Sequence, residues 1–554
     1  MSTSTRPERK ERGGRGDPRR GDGVESDSRR APNDAAARST SASLPDARVY
    51  KLRYGLVTPT PLLPFQAVGV ALCEARGAFL VRDGTGLGKT IQGLYAAYDV
   101  ARGGEADRVL VVLPSNRCAQ WEEEVRAHLP GVSVRNLQPL TADAREWGDA
   151  DVVLLPYELL ARSGSPRGRW SVGVDLRRAL AEMRARRVVL LADELHHASN
   201  PTSNTTRALL RLAESAAARF GLTASVTPER PENVFVPMRV ITLRWPYGSS
   251  YTACLERYTV RRRFVMRNGR SISKIVKRVR LRELGAKLEA MSIRRDATVA
   301  GLPEERVLRA PLDMHAEQRA RMRPLFDSMI EVLEAREEDS VTGAMFNPRV
   351  GEFGALFRDA TVLAAAYGST GSSPKLDFFV DRMRGFDSGA ILWCYHHAVV
   401  EFAVEYLRKS RVKTSVVYGK MRARDKLRSV QAFYHGTVAV IVGTYPALSE
   451  GEDKLKRCPY AFHLERWWPL RFWTQSRGRN KRVGGTRGIA RGEFAGMVVH
   501  DAPILRGSTD AWLDHSWCVK EQDIARMEGR VESEEIDATV GLLDYLRRTR
   551  AREL

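Results

Sequence analysis

Short apolar runs alternate with longer amphipathic stretches over most of this 554-residue chain. The runs are AFLV (78–81), VLVVL (109–113), DVVLL (151–155), VVLLA (188–192), AILWCY (390–395), TSVVY (414–418) and VAVIVG (438–443). Apolar runs of this length, joined by helical stretches, are typical of parallel strands that are buried on both faces. The pattern therefore predicts an α/β protein with two lobes, each built on a parallel sheet flanked by helices.

The regions around these lobes have a different composition. Residues 1–48 contain almost no large apolar side chains and cannot bury enough surface to offset the entropy of ordering, so we predict a disordered tail. We assign 49–245 to the first lobe and 246–370 to a basic hairpin and a helical insertion with a Gly/Ser linker. The second lobe is assigned to 371–520, and 521–554 is predicted to be a C-terminal helical extension.

The charge of the chain narrows its class of partners. Lys and Arg number 89 against 67 Asp and Glu, for a net charge of +22 and a pI of about 10.0. Such an excess attracts polyanions such as nucleic acid, although a solvated basic surface is an alternative. The six cysteines form no CxxC pair, which argues against a zinc ribbon and suits a reducing compartment. No apolar run approaches the roughly 20 residues of a membrane span, so we expect a soluble intracellular protein.

A phosphate-binding loop is predicted where GTGLGKT follows the strand AFLV and precedes an amphipathic helix. In such a loop Gly86 and Gly88 allow close backbone approach, Lys89 reaches the β and γ phosphates, and Thr90 holds magnesium. About 100 residues later the run VVLLA ends in Asp193 and Glu194. One of the two carboxylates would lie near the magnesium ion, and the other would lie near the water that attacks the γ-phosphate. The pair therefore favours an ATPase.

With these residues in place, the chain resembles helicase superfamily two and, within it, the SWI/SNF-type DNA translocases. The similarity runs from about Leu62 to Met527 in the family's motif order. LLPFQAVGV, DGTGLGKT, VLPSNRCAQWEEEV, DELHHASNP and RFGLTASVTPERPENVF resemble the motifs of the first lobe. LRELGAKLEAMSIRRDATVAGLPEERV resembles the double-arginine segment that leads to the second lobe. SPKLDFFVDRM follows the motif order of the second lobe, and WWPLRFWTQSRGRNKRVGG resembles WNPxxxxQAxGRxxRxGQ. The chain departs from the family's motif pattern at Gly84, at Gly485 and in the shortened segment Gly451–Glu452–Asp453.

The resemblance implies two RecA-like lobes and a role for each matching residue. Gln66 would read the adenine of ATP, while Gly86, Gly88, Lys89 and Thr90 would bind its phosphates. Thr90 and Asp193 would hold Mg²⁺, Glu194 would activate water, and Arg479 and Arg482 would act as arginine fingers from the second lobe. His196, Thr223 and Gln475 would couple the site to DNA.

A basic hairpin is predicted around Asn268–Gly269, a strong turn signal flanked by strand-like sequence. Its DNA-binding candidates are Arg261, Arg262, Arg263, Lys274, Lys277 and Arg278, which would contact phosphates rather than bases. A solvated hairpin is the alternative. In TQSRGRNKRVGG, Arg477 and Lys481 are expected to touch DNA phosphates or to be solvated, so an Arg477→Ala change would mainly alter DNA affinity.

The sequence thus predicts an ATP- and Mg²⁺-dependent translocase on double-stranded DNA, with forked or branched DNA among its substrates. A strand-separating helicase, a viral or phage transcription or genome-processing ATPase, and a catalytically dead DNA-binding scaffold are the alternatives. The nucleus or a viral or phage replication site would be its location.

Overall fold

The computed structural model describes residues 47–141, 144–162, 173–227, 230–244, 250–265, 271–335, 337–338, 345–346, 350–366, 373–386, 389–448, 454–481, 494, 496–530 and 542–552. The predicted disordered tail, 1–48, lies outside these ranges except for its last two residues. Of these, Arg48 exchanges two backbone hydrogen bonds of 2.8 Å with Leu62.

The strands of the described ranges, in chain order, are β1 Ala78–Val81, β2 Arg108–Leu113, β3 Val134–Asn136, β4 Val152–Pro156, β5 Val188–Asp193, β6 Ala218–Leu222, β7 Thr259–Val265, β8 Ser271–Arg278, β9 Ser292–Ile293, β10 Glu304–Leu308, β11 Pro311–Leu312, β12 Glu337–Glu338, β13 Met345–Phe346, β14 Ala390–Cys394, β15 Thr414–Val417, β16 Val440–Thr444, β17 Tyr460–His463, β18 Met497–Asp501 and β19 Ile504–Leu505.

The α-helices of the same ranges are α1 Pro64–Arg76, α2 Lys89–Val100, α3 Cys118–His128, α4 Tyr157–Leu160, α5 Val174–Ala185, α6 Asn204–Ser215, α7 Phe235–Thr242, α8 Tyr251–Tyr258, α9 Leu281–Glu289, α10 Ala316–Glu334, α11 Val350–Ala365, α12 Pro374–Met383, α13 His397–Lys409, α14 Ala423–Tyr434, α15 Tyr445–Leu448, α16 Leu470–Asn480, α17 Asp510–Met527 and α18 Leu542–Arg552. None of the described helices is long and apolar enough to cross a membrane.

The first lobe is a seven-stranded sheet in the order β3-β4-β2-β5-β6-β1-β9, and every neighbouring pair is parallel. All residues of β2, β4 and β5 are buried, because helices cover both faces of the sheet. This burial explains why the central strands read as continuous apolar runs rather than as alternating patterns.

The second lobe is a six-stranded parallel sheet in the order β10-β18-β17-β14-β16-β15. Its central strand β14 is fully buried, as is β16 beside it. The two sheets confirm the predicted α/β class with two RecA-like lobes, and each of the seven apolar runs lies on a strand.

Both sheets also take a strand from the segment 246–370, which the sequence assigns to an insertion. The edge strand β9 pairs with β1 of the first sheet, and β10 pairs with β18 of the second. Edge strands that are short or carry charged side chains lack the continuous apolar pattern of central strands. The sequence therefore did not show that β9 and β10 belong to the two sheets. Residues 294–303, between β9 and β10, form the connection between the sheets.

Helix α17 joins the two lobes a second time. Its Leu513 and Trp517 pack into apolar clusters on the second-lobe side, whereas its last residue, Met527, lies in the core of the first lobe. There a Cβ on Gly285 of α9 would lie 1.7 Å from the carbonyl oxygen of Met527. A side chain at position 285 would therefore push α17 away from the first lobe.

Candidate functional site

A cavity of about 720 Å³ receives side chains from both lobes. The first lobe contributes Gln66, Gly86, Gly88, Lys89, Thr90, Asp193, Glu194 and His196 to its wall, and the second lobe contributes Gln475 and Arg479. Most of the residues singled out by the sequence thus converge on one cavity, although they lie up to about 400 positions apart along the chain.

The predicted phosphate-binding loop connects β1 to α2, which begins at Lys89. Gly88 has a φ of 72°, and a Cβ there would lie 2.4 Å from the Gln66 side-chain nitrogen, so both the backbone and the space require glycine. Lys89 Nζ donates to the backbone oxygens of Asp83 and Gly84 at 3.0 Å each. Burial lowers the pKa of Lys89. A lysine and a helix N-terminus that face one cavity form an anion site.

Gln66, the predicted adenine reader, lies at the edge of this loop. Its side-chain oxygen accepts from the Leu63 backbone N–H at 2.9 Å, and its Nε2 donates to the carbonyl of Leu87 at 3.1 Å. These contacts connect the start of α1 to the phosphate-binding loop, and its role towards adenine stays a prediction.

Asp83, which stands where many phosphate-binding loops have glycine, is fully buried and paired with Arg295. Arg295 Nε lies 2.9 Å from Asp83 Oδ1 and its Nη2 lies 2.5 Å from Oδ2, while Gln92 donates to Oδ2 at 3.1 Å. Arg295 follows β9, in the connection between the sheets. The loop is thereby attached to the start of that connection, and the sequence did not predict this contact because the partners are 212 residues apart.

The two carboxylates of the site are held by several donors. Asp193 ends β5, and Glu194 follows with a φ of 47°, a left-handed conformation that non-glycine residues seldom adopt. Trp121 Nε1 donates to Asp193 Oδ2 at 2.7 Å. Arg117 Nη1 lies 2.8 Å from Asp193 Oδ2 and 3.2 Å from Glu194 Oε1. Trp121 and Arg117 both lie in a motif that the sequence identified, but the contacts of Arg117 were not predicted.

Burial acts differently on the two carboxyl groups. It raises the pKa of Asp193 despite the opposing charge of Arg117. At Glu194 burial is outweighed by the hydrogen bond from His196 and by the nearby charges of Arg117 and Lys89, so its pKa is held below the usual range. Glu194 is therefore the carboxylate of the pair that stays ionised.

A line of polar contacts connects Glu194 to the second lobe. His196 Nδ1 lies 3.2 Å from Glu194 Oε2 and 3.2 Å from Thr223 Oγ1, while its Nε2 lies 3.5 Å from Gln475 Nε2. These distances fit a neutral imidazole that carries its proton on Nδ1, donates it towards Glu194 and accepts from the Gln475 amide. The three residues predicted to couple the site are thus in contact with one another.

Helix α16 carries the predicted arginine finger against the phosphate-binding loop. A Cβ on Gly478 would lie 2.1 Å from Thr85 Oγ1, so the lobes meet at this glycine. Arg479, the next residue, is 7% exposed and lines the cavity. Arg482, the second predicted finger, lies outside the described residues, and its role stays a prediction. The departures from the family's motifs at Gly485 and 451–453 also lie outside the described residues.

The structure corrects the expectation for Arg477 and Lys481. Arg477 pairs with Glu305 and lies 3.5 Å from Glu521, and its guanidinium stacks over Trp473. Lys481 Nζ lies 3.8 Å from Glu305. Both cations are used inside the second lobe because β10 brings Glu305 beneath α16, a contact that no local pattern indicates. Neither is simply solvated.

The predicted basic hairpin is present as the antiparallel pair β7–β8, and its Asn268–Gly269 turn lies outside the described residues. The DNA-binding candidates of the hairpin differ in their exposure and in their ion pairs. Arg262 and Lys277 are exposed, while Arg261 lies 3.5 Å from Glu256. The side chains of Arg263 and Lys274 are outside the described set.

Arg278, at the base of the hairpin, is paired within the protein. Its guanidinium binds Glu232 at 2.9 Å and Asp523 at 3.2 Å, and both of these carboxylates are largely buried. It joins the hairpin to the first lobe and to α17, and its contact with a DNA phosphate stays a prediction. Its partners are 46 and 245 residues away in sequence, which is why the basic run suggested a phosphate contact.

The oxygen donors of the cavity fit a magnesium ion that is bound together with a nucleotide. Among the described residues no group of three or more His, Cys, Asp or Glu could hold a metal by itself. Mg²⁺ is typically bound by one or two carboxylates, waters and substrate phosphates, which the Asp193 carboxylate and the Thr90 hydroxyl would complement. Arg117 already places a positive charge between Asp193 and Glu194, which indicates that the electrostatic potential beside these carboxylates is negative.

Comparisons with known proteins agree on one family. Residues 66–317 match the SNF2-related domain. The human DNA annealing helicase and endonuclease ZRANB3 is 22% identical over 434 residues, which cover 76% of this chain and 37% of that protein. The bovine SWI/SNF-related matrix-associated actin-dependent regulator of chromatin subfamily A-like protein 1 is 25% identical over 221 residues, or 40% of this chain and 21% of that protein. This chain thus spans little more than a third of its first relative.

Among solved structures, the Sulfolobus solfataricus SWI2/SNF2 ATPase core in complex with double-stranded DNA is 17% identical with a TM-score of 0.37. The match covers 88% of this chain and 96% of that one.

Proposed function

Because this chain belongs to the SNF2-type ATPases of helicase superfamily two, we propose that it hydrolyses ATP between its lobes and uses the cycle to move along double-stranded DNA. The observation that carries the proposal is the shared cavity. Lys89 and Glu194 enter it from the first lobe and Arg479 enters it from the second. A site divided in this way is complete only while the lobes are together, so hydrolysis and lobe movement are linked.

Hydrolysis of ATP needs positioning and charge stabilisation rather than covalent chemistry from the protein. Lys89 and the N-terminus of α2 bind the β and γ phosphates. Thr90 and Asp193 would hold Mg²⁺, which would neutralise charge on the phosphate oxygens. Glu194 orients the attacking water and accepts its proton, and Arg479 stabilises the charge that builds up on the transferred group.

The contact line from Glu194 through His196 to Gln475 supports coupling between hydrolysis and lobe position. When the second lobe moves away, the Gln475 amide leaves His196, and the imidazole keeps only its first-lobe contacts with Thr223 and Glu194. The orientation of His196 towards Glu194 is therefore fixed from both lobes only in the closed arrangement. His196, Thr223 and Gln475 act as positioning residues in this scheme.

Duplex DNA as the substrate of movement is supported by the basic hairpin and by the relatives. The hairpin is attached to the first lobe through the Arg278–Glu232 ion pair, and Arg257 on the preceding helix α8 binds Glu283 of α9 at 2.9 and 2.8 Å. A firmly attached ribbon with exposed cations at Arg262 and Lys277 suits phosphate contacts. The printed name of the human relative, a DNA annealing helicase, extends the proposal to forked or branched DNA, and a nuclear location would follow the same relatives.

The decisive experiment measures steady-state ATP hydrolysis by the purified chain alone and with duplex DNA, single-stranded DNA, forked DNA and RNA. We expect duplex or forked DNA to raise the rate about tenfold or more, and Lys89→Ala to abolish it. Arg126→Ala, an exposed change on α3, is the matched control. If the wild-type protein with duplex DNA hydrolyses ATP no faster than Lys89→Ala, the proposal is wrong, and the scaffold alternative stands. Strand displacement in a parallel assay would favour the helicase alternative.

A further inference from the structure

Arg117 occupies an unusual position for a cation in a nucleotide site. It immediately precedes α3, and one guanidinium nitrogen, Nη1, lies 2.8 Å from Asp193 Oδ2 and 3.2 Å from Glu194 Oε1. The Arg117 side chain is 15% exposed and lines the same cavity as Lys89 and Arg479. A single nitrogen therefore faces both carboxylates from the side that a ligand would enter.

Arg117 is not needed to hold these carboxylates in place. Asp193 Oδ2 already accepts from Trp121 Nε1 at 2.7 Å, and its Oδ1 accepts from the Glu194 backbone N–H at 2.9 Å. The other oxygen of Glu194 is in contact with His196 at 3.2 Å. Neutral donors thus position both groups, and what Arg117 adds is positive charge between them.

That charge competes with a divalent ion for the same oxygen atom. A magnesium ion bound by Asp193 would approach its oxygen to about 2.1 Å. A guanidinium nitrogen at 2.8 Å from the same oxygen would then face the ion at close range, with like-charge repulsion in a buried site. Both cations cannot keep their full contacts, so one displaces the other.

We propose that Arg117 is the exchangeable counter-ion of the Asp193–Glu194 pair: it neutralises the carboxylates until a magnesium–nucleotide complex displaces it towards the phosphate oxygens in the same cavity. The inference rests on the proposed ATP site and adds a residue that sets its metal dependence. With Arg117 in place, the carboxylates do not repel a metal-free nucleotide strongly, and the metal gains less from binding because it must replace an existing cation.

The quantity that reports this exchange is the ratio of nucleotide dissociation constants in EDTA and in Mg²⁺. Removing Arg117 exposes two bare carboxylates, which weakens metal-free binding through repulsion and strengthens binding of the metal complex. Both effects raise the ratio, and we expect Arg117→Ala to raise it about tenfold or more. Arg117→Lys keeps the charge and is expected to return the ratio towards the wild-type value.

The test uses a fluorescent ADP analogue and measures its binding to the full chain by anisotropy in EDTA and in Mg²⁺. The matched control is Arg126→Ala on α3, the helix that follows Arg117, since Arg126 is 63% exposed and pairs with Glu122 on the surface. Thermal unfolding of each variant, with and without Mg²⁺ alone, provides a second readout. We expect Mg²⁺ to raise the Tm more in Arg117→Ala than in the wild type.

Three results would overturn the inference. An unchanged ratio in a folded Arg117→Ala protein would reduce Arg117 to a structural ion pair. Equal loss of binding in EDTA and in Mg²⁺ would make it a direct nucleotide contact. Failure of the wild-type protein to bind the analogue under either condition would refute the proposed ATP site itself, and the exchange with it.

Discussion

Gly478 provides the sharpest test of the closed, two-lobe site. It lies within α16, where alanine is normally the better helix former by about 0.5–1 kcal/mol. A Cβ at this position, however, would lie 2.1 Å from Thr85 Oγ1, 2.4 Å from its Cβ and 2.7 Å from its Cγ2. Gly478→Ala therefore has opposite effects on the helix and on the contact between lobes.

The size of the effect follows from these distances. Carbon–oxygen contacts of this kind do not fall below 3.0 Å, so the surfaces must part by about 0.9 Å, the difference between 3.0 and 2.1 Å. Arg479 is the next residue and moves with the helix. A misplacement of about 1 Å can cost a factor of about 100 in rate, or about 2.7 kcal/mol in the activation barrier.

The assay compares DNA-stimulated kcat and thermal unfolding for Gly478→Ala and for Gly354→Ala. Gly354 also lies within a helix, α11, but a Cβ there would meet nothing within 4 Å. We expect kcat of Gly478→Ala to fall about 100-fold while its Tm is unchanged or slightly raised, and Gly354→Ala to keep its activity. Adding Thr85→Gly removes all three clashing atoms and should restore part of the rate.

Two outcomes would refute the reasoning. Wild-type kcat in Gly478→Ala would mean that the contact between α16 and the phosphate-binding loop does not belong to the active arrangement. A parallel loss of kcat and Tm would mean that the glycine serves folding rather than closure.

Four further substitutions distinguish the roles proposed for the basic and polar residues. His196→Ala should lower the stimulation of ATP hydrolysis by DNA about tenfold with little change in nucleotide affinity; unchanged stimulation would argue against the contact line to Gln475. Arg278→Ala removes the guanidinium shared by the largely buried Glu232 and Asp523 and should destabilise the fold by about 3 kcal/mol in denaturant unfolding. Lys277→Ala should leave stability unchanged and reduce the salt dependence of DNA binding by about one ion; equal stability of both variants would contradict this division. Arg477→Ala should lower Tm because Glu305 loses the nearest of its basic partners, and a change confined to DNA affinity would refute the internal pairing.

Sequence reasoning succeeded where the signal was local. The strands were visible because burial on both faces makes them continuously apolar, and Lys89 lies in a motif that directly joins a strand to a helix. The carboxylate pair at Asp193 and Glu194 was visible for the same reason. The convergence of these motifs on one cavity with Arg479 was anticipated through the family resemblance, since nothing in the intervening residues indicates it.

The contacts that sequence reasoning missed are ion pairs between distant residues. Arg117 and Arg295 both lie in motifs that the sequence identified, but their partners were not predicted, because only the parallel sheet order brings them to Asp193 and Asp83. The runs of basic residues around Arg278 and Arg477 suggest a partner outside the protein, whereas the fold supplies Glu232 and Glu305 from distant parts of the chain. An excess of positive charge in sequence therefore overstates the number of cations available to DNA.

The attachment of α17 to both lobes limits how the molecule can open. Its 18 residues form a rod about 27 Å long, anchored on the second-lobe side by Trp517 and in the first lobe by Met527. While both anchors remain packed, the lobes cannot draw apart along this rod, and the movement left to them is a swing about its axis. Any movement of the lobes in the proposed ATP cycle would then be angular.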